Sequence, residues 1–268
     1  MHRGFQIEGL SPDFGFYAAS LGRLIQEEQA LSIRSSLESY LNEEGKLDAQ
    51  ALSKAWFPAI KADVFISHSH NDEAKALRLA GWLKDKFGLT AFIDSAVWSS
   101  ADALLRMIDD QYCRHENGTS YSYEKRNLST SHVHVMLTMA ITEMIDRCEC
   151  LFFLNTPESI SAGKTIKEGN TSSPWIYAEI AISKTIQKRD LPVGRRSKRV
   201  LAYDEALNES KGSVPLIHKL DVSHLSKLNE ARLLAWGISY EHGSDKSPLD
   251  ELYDLMPARY PSLTTNGV

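Results

Sequence analysis

The chain has little cysteine, no long apolar run and no excess of positive charge, and each shortage narrows what it can be. Its three cysteines, Cys113, Cys148 and Cys150, cannot all pair with one another, and the last two stand too close in sequence to staple a fold. None has the paired C-x-x-C spacing of a structural zinc site. No apolar stretch approaches the roughly 20 residues needed to span a bilayer. The first residues, MHRGFQIEGLSPDF, lack the basic-then-apolar pattern of a secretory signal, so the expectation is a reduced, cytoplasmic protein. Lys and Arg number 30 against 35 Asp and Glu, a formal net charge of −5, which leaves no electrostatic drive toward nucleic acid or anionic membrane. The basic cluster Arg195–Arg199 reads as a solvated loop. Glycine fingerprints are missing as well. No G-x-G-x-x-G follows the strand at Asp63–Ser67, and neither G-x-x-x-x-G-K-[ST] nor G-x-S-x-G occurs, so phosphate cradles of those kinds and serine-hydrolase elbows have no support.

What is present is ordinary globular material, 43% apolar and 24% charged over 268 residues. That length allows one domain with additions. Residues 1–60 read as a helical extension. Phe16–Tyr40 holds neither Pro nor a β-rich run, Leu21, Leu24, Ile25, Leu31, Ile33, Leu37 and Leu41 recur at roughly helical spacing, and a short helix is expected over Asp48–Trp56 ahead of Pro58. From Ala62 strands alternate with helices. Asp63–Ser67, Thr90–Asp94 and Cys150–Asn155 are short apolar runs suited to buried strands, and Arg199–Tyr203 and Pro215–Leu220 are two further candidates. A helix with Ala76, Leu79, Ala80, Leu83 and Phe87 on one face ends at Gly88, another covers Val135–Ile145, and a third covers Trp175–Lys188. Such alternation predicts a parallel sheet with helices on both faces over residues 61–268, with ligands beyond the carboxyl ends of its strands. Residues 95–134 interrupt the pattern as an insertion, helical over Asp102–Tyr112 and otherwise a polar, tyrosine-containing connection.

Two short patterns carry chemistry. His68-Ser69-His70-Asn71-Asp72-Glu73 directly follows a strand. It resembles the HxHxDH zinc signature of metallo-β-lactamase-like hydrolases, with Glu73 where that motif has His, and a zinc-dependent hydrolase using His68 and His70 is the minor alternative. The other interpretation is a helix-capping loop of Ser, His, Asn and Asp. His132 and His134 point in different directions on a helix and do not complete a metal site together. The second pattern is Ser173-Pro174-Trp175-Ile176-Tyr177-Ala178-Glu179, which sets Trp175 and Glu179 one helical turn apart.

Taken in order, DVFISHSHND, FIDS, a strand ending in LNTPES, and SPWIYAEI resemble a Toll/interleukin-1 receptor (TIR) domain of bacterial type, over roughly Ala62–Arg189. The resemblance implies a flavodoxin-like α/β fold. It also implies an NAD-cleaving enzyme, similar to the stand-alone TIR proteins of Thoeris-type anti-phage systems, with Glu179 as the catalytic residue. Ser67, His68, Ser69, Asp94, Trp98 and Trp175 are the implied substrate-binding positions. NAD+ is then substrate rather than cofactor, and no metal is called for. The implied partners are further copies of the chain and a separate sensor or effector. The alternative within the family is a non-catalytic, self-associating signalling adaptor. The Ser95–His134 segment is longer than relatives usually have, and its Tyr112–His134 part is a candidate water-excluding lid that would favour cyclic or conjugated products over linear ADP-ribose.

Overall fold

A computed structural model describes residues 1–30, 40–42, 46–57, 60–116, 118–159, 170–171, 173–191, 218–241 and 245–257. Its centre is a sheet of five parallel strands: β1 (Arg3–Glu8), β2 (Val64–Ser67), β3 (Ala91–Ile93), β4 (Cys150–Leu154) and β7 (Ser226–Asn229). Their order across the sheet is β3-β2-β4-β1-β7. Helices α1 (Ala19–Ala30), α2 (Ala49–Trp56), α3 (Glu73–Phe87), α4 (Ser95–Ile108), α5 (Tyr123–Arg147), α6 (Pro174–Thr185), α7 (Glu230–Glu241) and α8 (Pro248–Leu255) surround it. A small antiparallel pair, β5 (Asn170–Thr171) with β6 (His218–Lys219), stands apart. The result is a flavodoxin-like α/β fold, as expected. Among the described residues no helix is long and apolar enough to cross a membrane.

Strand alternation divides the core in two. Val64, Ile66, Ala91, Ile93, Phe152 and Leu154 face α3, α7 and α8, packed with Leu79, Trp82, Leu83 and Trp236. Phe65, Phe92, Leu151 and Phe153 face the opposite way onto α2, α4, α5 and α6, packed with Trp56, Leu104, Leu137, Ile141 and Ile180. All residues of β2, β3 and β4 are buried, which explains their continuous apolar sequences.

Three expectations need correction. First, residues 1–60 are not a helical extension set apart from the sheet. Arg3–Glu8 is a strand that pairs with β4 on one side and β7 on the other. Its polar residues disguise it. Arg3 and Gln6 are buried, Arg3 bonding Ser226 Oγ at 2.8 Å and lying over the Phe5 ring, and Gln6 bonding Glu8 at 2.8 Å. The helices expected in this region are present as α1 and α2, the latter capped by Asp48, which accepts from the amides of Gln50 and Ala51; residues 31–39 lie outside the described residues. Second, residues 95–134 are helical as expected over Asp102–Tyr112, but the remainder is not a long polar connection. They comprise α4, a π-helical turn at Asp109–Cys113, and the first half of α5. Asp109 bonds Ser129 Oγ at 2.6 Å and Arg126 Nε at 2.8 Å, and the short tip is closed by Asp110, which takes both Arg114 and Tyr121. The first turns of α5 are solvated nearly all round, so the sequence there has no apolar stripe to read. Third, the described part of Pro215–Leu220 gives a strand outside the main sheet: His218–Lys219 pairs with β5, and residues 215–217 lie outside the described residues. The fifth strand of the sheet is Ser226–Asn229. Arg195–Arg199 and Arg199–Tyr203 lie outside the described residues.

The first helix is built into the domain as well. Gln29 lies along the edge of β3, donating to the Ala91 carbonyl at 2.8 Å and accepting from the Ile93 amide at 3.4 Å, as a neighbouring strand would. Helices α1 and α3 cross in backbone contact. A Cβ on Gly22 would stand 1.9 Å from the Leu77 carbonyl oxygen, and one on Gly81 would stand 2.0 Å from that of Ala18. Replacing a helical glycine by alanine ordinarily stabilises a helix by roughly 0.5–1 kcal/mol. At Gly22 the sign should reverse, with Gly22→Ala costing about 1–3 kcal/mol through separation of the two helices, measured by urea unfolding.

Candidate active site

The carboxyl ends of β2 and β3 and one face of α6 meet at a cluster of four buried polar side chains. Ser67 is the last residue of β2, His68 follows it, Asp94 follows β3, and Glu179 lies in the second turn of α6. The start of α6 fixes where Glu179 falls. Ser173 caps the helix by accepting from the Ile176 amide at 3.3 Å, and Pro174 occupies its first turn. Ser67 Oγ then donates to Glu179 Oε2 at 2.6 Å. Asp94 Oδ1 pairs with His68 Nδ1 at 2.5 Å, and Asp94 Oδ2 also takes the His68 amide at 3.4 Å. Glu179 and Ser67 are wholly inaccessible to solvent, and Asp94 and His68 nearly so.

Charge in this space is short of compensation. Burial first, and the neighbouring Asp94 carboxylate second, push the Glu179 carboxyl well above the ordinary carboxylic range, while the Ser67 hydroxyl pulls the other way. Burial would lower the His68 pKa, but Asp94 outweighs it by charge and hydrogen bond, and the imidazole is held above its usual value. Beside Asp94 the charged imidazole of His68 is favoured, and at the buried Glu179 the protonated carboxyl is favoured. Beyond the ion pair with His68, Glu179 Oε1 and Asp94 Oδ1 have no hydrogen-bond donor among the described residues.

The structure gathers four of the seven residues expected at the site, Ser67, His68, Asp94 and Glu179. Ser69 acts as a cap instead. Its hydroxyl accepts from the Asn71 amide at 3.3 Å at the start of the short turn His70–Asp72. Trp175 sits one turn before Glu179, yet its ring lies edge-on to His134 at 5.1 Å and lines a groove of about 500 Å³ between α4, α5 and α6. None of the four buried residues lines that groove. Trp98 belongs to α4, with its side chain outside the described residues. His70 is exposed while His68 is buried against Asp94. No group of three or more His, Cys, Asp or Glu able to hold a metal ion occurs among the described residues.

Sequence reasoning missed a chain of small polar groups that ties the strand-end loops to α6. Asp72, buried, takes Lys75 Nζ at 2.6 Å and the hydroxyl of Thr156. Ser159, three residues on, donates to the Leu154 carbonyl at 2.8 Å. Thr171 Oγ1 donates to the Ser159 carbonyl at 2.8 Å and accepts from the Ser173 amide at 3.1 Å, at the N-cap of α6. The signal was the hydroxyl content of NTPES and TSS, directly after a strand and directly before a helix. Gln26 of α1 was missed too; it bonds Glu73 at 2.6 Å and Ser95 at 2.9 Å, beside Asp94.

No protein-family model, curated protein or solved structure matches the chain.

The raised Glu179 pKa has a consequence for stability. The unfolded chain gives up this proton near pH 4.5, the ordinary value, and the folded chain holds it to higher pH, so the carboxyl penalises folding progressively as pH rises. Glu179→Gln should therefore gain stability relative to wild type above that pH, with the gap widening by up to about 1.4 kcal/mol per pH unit until the folded group ionises. Below pH 4 the gap should be flat. Thermal and urea unfolding between pH 4 and 9 read it.

Proposed function

We propose that this protein cleaves NAD+ at the nicotinamide–ribose bond, as a TIR-type enzyme with Glu179 as its catalytic residue. The observation that carries the reading is the Glu179 carboxyl, wholly buried and bonded to Ser67 at the carboxyl end of β2, the position where flavodoxin-like sheets bind ligands. Cleavage leaves a ribosyl cation and a neutral nicotinamide. A carboxylate beside the ribose stabilises that cation without a metal. Nicotinamide leaves as a neutral ring, so no paired general acid is demanded. The substrate's own positive charge favours the ionised form of Glu179 at the moment it is needed. Access to the carboxyl requires the strand-end loops to part, and their hydroxyl chain is where that opening would occur.

The expected lid at Tyr112–His134 is a helical hairpin rather than a loop, so it gives no support to water exclusion. Linear ADP-ribose is the simplest product, and a cyclic or conjugated one requires another nucleophile to reach the cation first. A role as an anti-phage signal producer, triggered by a separate sensor or effector, belongs to the same proposal. One observation favours the adaptor alternative. Leu128, Val135 and Met139 are exposed along a single stripe of α5, and Val135 and Met139 also line the groove beside Trp175. A second copy is the natural cover for such a stripe, and assembly is compatible with catalysis.

Purified protein should release nicotinamide from NAD+, and Glu179→Gln should lower that rate by about 10²-fold or more. Nicotinamide quantified by chromatography over a range of protein concentrations is the measurement. A variant as fast as wild type removes Glu179 from its role. No release at any concentration, from protein that folds, leaves the adaptor reading.

A further inference from the structure

The strand order β3-β2-β4-β1-β7 turns at the boundary between β2 and β4. The chain leaves β2 through α3 to reach β3 on one side, and it comes to β4 on the other side through α4 and α5. Those connections lie on opposite faces of the sheet, α3 with one half of the core and α4 and α5 with the other. Such a switch point opens a crevice between the loops that follow the two strands, and in open α/β sheets that crevice takes the ligand. Here it is shut. Ser67 and His68 at the end of β2, and Glu179 bonded to Ser67, are inaccessible or nearly so. Among the described residues two side-chain hydrogen bonds span the gap from the loop after β2 to the loop after β4. Asn71 Nδ2 donates to Glu158 Oε2 at 2.8 Å, and Thr156 Oγ1 donates to Asp72 Oδ2. Their surroundings differ. Asp72 is buried and also holds Lys75 Nζ at 2.6 Å, whereas Asn71 and Glu158 are exposed, so water competes for their bond. From Thr156 and Ser159 the hydroxyl chain runs on through Thr171 to the cap of α6, the helix that carries Glu179.

We propose that the Asn71–Glu158 and Thr156–Asp72 bonds form a clasp that closes the switch-point crevice over Glu179, and that the outer bond, Asn71–Glu158, opens first to admit a ligand. This deepens the reading of Glu179 as the catalytic residue and rests on it. Asn71 and Glu158 control access in this scheme and touch neither the ligand nor the bond that breaks. The closed state keeps the buried carboxyl from water, and the open state is a minor population on which a ligand draws. Weakening the outer bond raises that population, whereas a change that only loosened the fold would expose every buried carboxyl alike. Asp109, buried at the end of α4 remote from Asp94 and held by Ser129 and Arg126, is a carboxyl that only such loosening exposes.

Coupling of glycine ethyl ester to accessible carboxyls by a water-soluble carbodiimide, read residue by residue by peptide mass spectrometry, follows the opening without any ligand. In wild type, Glu179 should be labelled far more slowly than the exposed Glu124. Asn71→Ala and Glu158→Ala should each raise the Glu179 rate by about threefold to tenfold, the range of one hydrogen bond, with Asp109 unchanged. Glu158→Gln keeps an acceptor oxygen for Asn71 and should stay within about twofold of wild type. Labelling of Glu179 in wild type as fast as that of Glu124 overturns the closed crevice. A Glu179 rate that neither alanine variant changes overturns the clasp, as does a rise that Asp109 shares. A rise in Glu158→Gln equal to that in Glu158→Ala overturns the role of the bond. With NAD+ as substrate, the alanine variants should raise kcat/KM by the factor by which they raise labelling, because only the open fraction binds. Labelling that rises while kcat/KM does not overturns the clasp as the route of entry. Accelerated labelling with no nicotinamide release from any of the proteins removes the NAD+ reading and leaves the clasp standing, and release without accelerated labelling does the reverse.

Discussion

The hydrogen bonds that Arg3–Glu8 makes on both of its sides hold the sheet together. Pairing with β4 runs from Arg3↔Cys150 to Ile7↔Leu154, and pairing with β7 runs from Phe5↔Ser226 to Glu8↔Asn229. A flavodoxin-like sheet ordinarily takes its strands in the order 2-1-3-4-5. Counted from Val64, this one follows that order for three strands and then seats the amino-terminal strand in the fourth place, with Ser226–Asn229 beyond it. Removing that strand would leave two buried rows of backbone groups without partners. Its influence reaches the site. The Asn155 amide bonds the Ile7 carbonyl at 2.9 Å, and the Asn155 side chain bonds Glu8 at 3.2 Å. The loop that leads from β4 to Thr156 and Ser159 thus starts from an anchor on β1.

The candidate site opposes the stability that the sheet provides. Buried ionisable groups lower stability unless each charge is answered, and here one imidazole answers two carboxyls. The surrounding hydroxyls help to hold the geometry without adding charge. Ser67 holds Glu179, Thr156 holds Asp72, and Thr171 links Ser159 to the cap of α6. An uncharged glutamine would suit this buried position better than the carboxyl does. Retention of a destabilising group in so well packed a place is the pattern expected of a residue kept for its chemistry.

Legibility from sequence followed the source of each element's stability. Strands β2, β3 and β4 were readable because both faces are covered, so their burial is written as unbroken apolar runs such as VFIS and CLFFL. Helix α3 was readable through its stripe and through Gly88, which ends it at φ 70°. The strand RGFQIE was not, because its arginine and glutamine are buried through partners as remote as Ser226, which no local window contains. Helix α5 was half readable. Its second half packs on the sheet, while its first half is exposed and is held by Asp109 and the Ser122 cap. At the candidate site, the motifs pointed to Glu179 and Ser67, and the structure brings the two together. The spacing of Trp175 and Glu179 suggested a shared face, but the indole packs against His134 while the carboxyl turns inward to Ser67.

The place of Arg3–Glu8 in the sheet also sets the order in which the molecule can be assembled. This strand is made before the other four of its sheet, yet both of its neighbours, Cys150–Leu154 and Ser226–Asn229, are made far later. Closing loops of that length comes before any reward from pairing, which favours slow folding. Until Ser226–Asn229 emerges, a nascent chain that has already docked β1 on β4 carries an open strand edge, the kind of surface that other chains can add to. Synthesis of this protein therefore exposes a sticky margin that the finished sheet hides, and the last part of the chain to reach the sheet is the part that seals it.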